Sequence, residues 1–328
     1  MYKSLCVALC LGLPAIIGPG CGRNGKSERS TYRDVPRYVR SVTLVDGQDT
    51  LVPVRLQFVD DTLFVSYNGL PRLDLYNRNL ERVRTIPLTQ PGSVVPTSFT
   101  VVDSILIVAD HTQGAILCYN RQGDLLTSYG RMPDNRTSLH PFAVTAYGGV
   151  LYAADVGLRR VLAISLVDAD GITEKGEVIL AIPSDSTRTL GFPAAVVVTP
   201  DGRLLVGDAV SGSIDVFTCD GRFIYRFDTI PGMPIRGPQA FAMDGERDPE
   251  LQDTTTFDPS DVRLLGRVHV VDAASGTIHM FNTLGKYIAS YPEARMQKPS
   301  GIAVDMKTQQ IYIADPAERS LHVFHIRP

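Results

Sequence analysis

One pattern recurs along the chain. It can be read at 105–130 (ILIVADHTQGAILCYNRQGDLLTSYG), 203–228, 267–292 and 310–326, again at 150–166, and more loosely at 62–87. Each copy holds an alternating strand that ends in Asp, a short turn, and a second alternating strand that ends near an aromatic residue. A Gly-containing turn follows, and usually a further strand. In the copy at 62–87, Ser66 stands where the others carry Asp. Ahead of most copies lies one more short apolar strand, as in Phe192-Pro193-Ala194-Ala195-Val196-Val197-Val198. A unit of this size cannot bury both of its faces alone, so self-similarity at a period of forty to fifty residues predicts units stacked in a ring. Four antiparallel strands per unit, joined by turns of a few residues, keep exposed edges short.

The run Pro299-Ser300-Gly301-Ile302-Ala303-Val304-Asp305, followed by IYIAD and LHVF, resembles the NHL repeat. The resemblance covers roughly residues 39–328 and implies an all-β, six-bladed β-propeller with four antiparallel strands per blade. The last repeat stops after its third strand at His325 and Ile326. Its missing outer strand is predicted to come from Tyr38-Val39-Arg40-Ser41-Val42-Thr43-Leu44-Val45, so that the last blade is closed by the N-terminal strand and the propeller spans 38–328.

Residues 1–20 read as a signal peptide or membrane anchor. Lys3 precedes the apolar run from Leu5 to Leu13, small residues follow at Gly18 and Gly20, and Pro14 and Pro19 break the stretch. Cys21 at the cleavage position resembles the lipidated cysteine of a bacterial lipoprotein. The expectation is an exported protein at the periplasmic or extracellular face of a bacterial membrane, held there by lipidated Cys21 or by an uncleaved leader. Residues 21–37 read as a flexible basic tether, because 22–40 carry six Arg and Lys against Glu28 and Asp34. The whole chain is −3 and its first forty residues are +5, so the remainder is −8. An acidic body lacks the basic footprint that phosphate neutralisation demands, which argues against nucleic acid as a partner. Cys118 and Cys219 fall in different repeats without metal or redox spacing, and read as small core or edge residues.

The recurrent Asp110, Asp155, Asp208, Asp272 and Asp315 are candidates for turn capping, since Asp at a strand end accepts hydrogen bonds from the amides of the turn that follows. His111 is the one histidine beside such a turn, and no second histidine stands at metal-ligand spacing from it. His140, His269, His279, His322 and His325 are scattered and read as structural or solvent-facing. Asp168-Ala169-Asp170-Gly171 is out of register with a calcium loop and reads as a hairpin. No catalytic residue, metal ligand or cofactor is assigned.

The insertion at 245–266 breaks the repeat, with Glu246, Asp248, Glu250, Asp253, Asp258 and Asp261 against Arg247 and Arg263. An acidic loop of this length in a compact repeat is a candidate docking element for a membrane-associated protein partner. It is expected on the face opposite the recurrent aspartates. The leading functional reading is a non-catalytic extracytoplasmic scaffold or accessory subunit of a membrane complex. Two alternatives stay open. One is a metal-dependent hydrolase, lactonase or lyase with its site in the tunnel, as in the six-bladed enzymes the architecture resembles; the other is a small-molecule or polysaccharide sensor.

Overall fold

The second strand of every repeat is apolar at nearly each position, and that reflects burial on both faces rather than one. In blade 2, Leu106 and Val108 pack towards blade 1, while Ile107 and Ala109, on the other face of the same strand, pack towards blade 3. A computed structural model describes residues 35–90, 94–130, 138–168, 171–183, 188–227, 230, 234–244, 266–291 and 296–326. The leader, Cys21 and the six acidic residues of the insertion lie outside the described residues. The described residues hold no helix.

Six four-stranded antiparallel sheets make the blades. Their first strands are Pro53–Val59, Pro96–Val102, Pro141–Tyr147, Pro193–Val198, Pro238–Asp244 and Gly301–Asp305. Each of these touches the first strand of the next blade, and that of blade 6 touches that of blade 1, so the ring closes around a tunnel. Six apolar clusters fill the six interfaces between blades. Blades 4 and 5, for example, share Leu205, Val216, Val268 and Phe281, all fully buried. Each such side chain contributes about 1.5–3 kcal/mol by leaving water. The outer strands differ: Arg82–Pro87 is exposed at five of six positions.

Blade 6 supplies three strands, and its outer strand is Arg37–Thr43. The pairing runs from Arg37↔His325 to Thr43↔Ser320. The closing strand thus begins one residue earlier than the sequence suggests and ends at Thr43, because Val45–Asp46 pairs instead with Asp49–Thr50 in a separate hairpin. Asp168 pairs with Gly171, as the hairpin reading of this segment expects.

One expectation is corrected. The aspartate position of blade 1 is occupied by Tyr67 and not by Ser66. Tyr67 pairs with Pro53 as Asp110 pairs with Pro96 and Asp272 with Pro238, whereas Ser66 sits opposite Arg55 as Ala109 sits opposite Ser98. The Tyr67 hydroxyl lies 2.7 Å from that of Tyr76, a partner within its own blade.

Candidate functional site

The first strands have no neighbour on their tunnel side, so their edge amides and carbonyls need other partners. In five blades the register slips just after the opening proline, between Pro53 and Arg55, Pro96 and Ser98, Pro141 and Ala143, Pro193 and Ala195, and Pro238 and Ala240. A bulge of this kind takes the extra residue's peptide out of the ladder. Arg55 collects two of the freed carbonyls and their blade 6 equivalent. Its Nε donates to Thr97 O at 2.9 Å, and Nη1 donates to Gln239 O at 2.9 Å and to Ser300 O. One side chain from blade 1 therefore ties together blades 2, 5 and 6. The Phe142 ring of blade 3 lies 6.0 Å from the guanidinium carbon.

Arg55 is only 7 % exposed. Burial lowers its pKa to about 10, which leaves it charged at neutral pH. The tunnel it lines has a cavity of about 260 Å³. The other polar side chains on that lining are Gln57, Ser98, Thr100, Thr145 and Gln239, and among the described residues Arg55 is its one ionised group. Two of the polar groups serve neighbouring blades: Val101 N donates to Gln57 Oε1 at 2.8 Å, and Val144 N to Ser98 Oγ at 3.3 Å.

Arg55 escaped the sequence reading, yet a signal for it exists. The first strands open Pro-Val-Arg, Pro-Thr-Ser, Pro-Phe-Ala, Pro-Ala-Ala, Pro-Gln-Ala and Pro-Ser-Gly, so the third residue is small in every repeat except the first. Five small residues leave a throat that a single long side chain fills. On the blade 6 side the fit is close, because a Cβ on Gly301 would meet Val54 O at 2.5 Å and Arg55 Cα at 2.9 Å.

The recurrent aspartates do not line this tunnel. Each is at most 2 % exposed, and each accepts from two segments at once. Asp208 accepts from Gly191 N and Phe192 N, which arrive from blade 3, and from Val210 N and Ser211 N in its own turn, at 2.6–3.3 Å. Burial acts to raise its pKa, but these four amides outweigh burial and hold it below the ordinary value. Asp110 binds Val95 N and Gln113 N; Asp155 binds His140 N, Gly157 N and Leu158 N. Asp272 takes Arg236 N, Ala274 N and Ser275 N, and Asp315 takes Gln297 N, Lys298 N, Ala317 N and Glu318 N. Every carboxylate staples the segment coming from the preceding blade to the turn between its own second and third strands.

Of the histidines on strands, His269, His279 and His322 are buried rather than solvent-facing, and His325 is half-buried. His269 Nε2 lies 3.0 Å from Asp244 and its Nδ1 2.7 Å from the Tyr291 hydroxyl. Arg267 joins the same carboxylate, with Nη2 at 2.7 Å. Burial would raise the Asp244 pKa, but His269 and Arg267 overcome it and hold the group low. Asp244 and Arg267 are also the two ends of the strands that the insertion connects, so its stem is pinned by an ion pair. That stem sits at the opposite end of the sheet from Asp272, which pairs with Pro238. In blade 6, Asp315, Glu318 and His322 bring ligand atoms within 4.8 Å of one another. His322 lies 3.2 Å from Glu318 and 3.8 Å from Asp315. Blade 5 repeats this arrangement with His279, 3.4 Å from Asp272, at the same position of its third strand. The trio is thus a repeat feature with Glu318 added.

No family model matches the chain, and no curated protein matches it. Solved structures do. A streptogramin B lyase aligns with a TM-score of 0.61 at 13 % identity, covering 89 % of this chain and 98 % of its own. The fold is that of a six-bladed β-propeller. A catalytically inactive histidine-to-alanine variant of virginiamycin B lyase from Staphylococcus aureus, solved with quinupristin, aligns at 0.59 and 13 % identity over 88 % of this chain and 99 % of its own. BBS1N in complex with ARL6DN aligns at 0.50 and 12 % identity, covering 88 % and 84 %. One neighbour is an enzyme and another is a protein bound to a protein. At such identities the likeness shows the fold alone, and the site must carry the function.

Proposed function

We propose that this chain is a non-catalytic, NHL-type propeller, exported and lipid-anchored through Cys21, that presents a rigid disc to a membrane-associated protein partner. The observation that carries this reading is how the ionisable groups are used. In the described tunnel, Arg55 is engaged with three backbone carbonyls, and the five recurrent aspartates are engaged with backbone amides. General acid–base chemistry needs a titratable group within reach of a substrate, and the described lining offers Arg55 alone, charged at neutral pH. Rigid presentation suits a disc whose six interfaces are all filled with apolar side chains.

The lyase reading is the second one, supported by the likeness to streptogramin B lyases and by the Asp315–Glu318–His322 trio. Metal analysis and turnover assays on purified full-length protein separate the two. The scaffold reading expects sub-stoichiometric divalent metal and no opening of a panel of lactones and of quinupristin. Stoichiometric metal, with turnover that His322→Ala abolishes, would overturn it. Cys21→Ser should release the protein from membranes into the soluble fraction. Continued sedimentation with membranes after a high-salt wash would assign the anchor to residues 1–20 or to a partner.

A further inference from the structure

Arg55 poses an electrostatic problem that its hydrogen bonds do not solve. Carbonyl dipoles satisfy Nε and Nη1, but a cation that is 7 % exposed keeps its full charge, and no carboxylate of the described residues bonds it. Taking a lone ion out of water is costly unless a counter-charge accompanies it. Nη2 takes no hydrogen-bond partner among the described residues, although the group lines the tunnel cavity. The carbonyls of Thr97, Gln239 and Ser300 fix the guanidinium from three blades, so the remaining donor is held in place before any ligand arrives. A charged donor held in this way favours an anionic acceptor such as a carboxylate.

We propose that the tunnel takes a small organic carboxylate, its anionic end on Nη2 of Arg55 and its uncharged body along the tunnel. The size follows from the cavity, about 260 Å³, which is below the range of drug-sized pockets. The body's character follows from the walls, where Ala143, Ala195, Ala240 and Gly301 add little bulk beside Arg55, and Gln57, Ser98, Thr100, Thr145 and Gln239 offer polar groups without charge. This goes beyond the scaffold reading, since a disc can dock a partner with or without an occupant in its tunnel.

The test uses full-length protein. Thermal midpoints are measured against rising sodium butyrate and sodium benzoate, with butyramide and benzamide as neutral counterparts and sodium phosphate as an inorganic anion. The expected result is a saturable rise with a carboxylate, none with the amides, and loss of the rise in Arg55→Met. In crystals soaked with bromide, the expected result is an anomalous peak beside the guanidinium. A response equal in Arg55→Met, or equal for acid and amide, would overturn the proposal. So would a response to phosphate alone, or bromide in the throat without any carboxylate response, which would mean an adventitious ion only. If Arg55→Met does not fold, the comparison of acid with amide on the unaltered protein, together with the bromide peak, decides. Failure here leaves the scaffold reading standing, because that reading is judged by metal content and turnover.

Discussion

Removing residues 1–46 should destabilise the ring, whereas removing 1–34 should not. The longer truncation takes away Arg37–Thr43, which pairs with the third strand of blade 6 along its whole length. It also removes Tyr38, packed edge-on against Phe324 at 5.6 Å, and Leu44, which is 3 % exposed in the cluster between blades 6 and 1. The ladder itself contributes little net stability. Each hydrogen bond is worth about 0.5–1.5 kcal/mol, and ordering each residue costs about 1–2 kcal/mol. The loss is therefore set by the apolar contacts: about 2–5 kcal/mol for a buried leucine, with Tyr38 adding to it. The ion pairs of Asp46 with Arg72 and Arg82, at 2.7 and 3.0 Å, are partly exposed and screened by solvent, and add little. At roughly 2–4 °C per kcal/mol, the midpoint should fall on the order of 10 °C. Circular dichroism melts of the two truncations provide the assay, with size-exclusion chromatography reporting association through the uncovered edge of blade 6. Equal midpoints would refute closure by this strand as a source of stability.

Replacing residues 246–263 by a short Gly-Ser turn should leave the melting temperature nearly unchanged, since Asp244, Arg267 and His269 remain to pin the stem. If the insertion docks the partner, the same variant loses co-purification, and association of the parent protein slows as salt rises; an unfolded variant would make the insertion part of the core. For acid stability, the decisive carboxylate is Asp272. Burial opposes its ionisation, but His279 and the backbone amides of Arg236 and Ser275 pull its pKa from 3.8 to about 2. A depressed folded value means the stabilisation is complete above about pH 4 and lost as pH falls towards 2, about 2 kcal/mol in all. Urea midpoints measured across that window should drop steeply for the parent protein and less steeply for Asp272→Asn, and parallel curves would contradict the assignment.

The repeat made the blades legible because each carries the same strand–Asp–turn–strand order, and the closing strand was legible because the last repeat lacks its fourth. Tyr67 shows where this reading stops. In a strand buried on both faces, alternation carries no phase, so nothing in Thr62–Tyr67 tells Ser66 from Tyr67 as the aspartate equivalent. Arg55 was hidden for another reason. Its role depends on carbonyls from Thr97, Gln239 and Ser300, up to 245 residues away, and no local pattern announces such a meeting. The same holds for Tyr291, His269 and Asp244, which three strands of one blade bring together. Composition gave the acidic insertion its prominence, and its two ends gain a structural account from the ion pair beneath them.

The register of the closing strand also has a mechanical side. Arg37 stands opposite His325, which stands opposite Gln310, which pairs with Asp305; the chain therefore joins the ring on the face where first strands end, the face that holds Asp244 and Arg267. Tension drawn through the residues before Arg37 falls first on the Arg37–His325 pair. It then peels the strand one pair at a time, the loading geometry in which a β-ladder resists least. A pull on any other blade is spread over apolar interfaces on both of its sides. A disc built this way gives at the seam beside Arg37, while the throat held by Arg55 and the stapled turns, at the far end of the sheets, keep their shape.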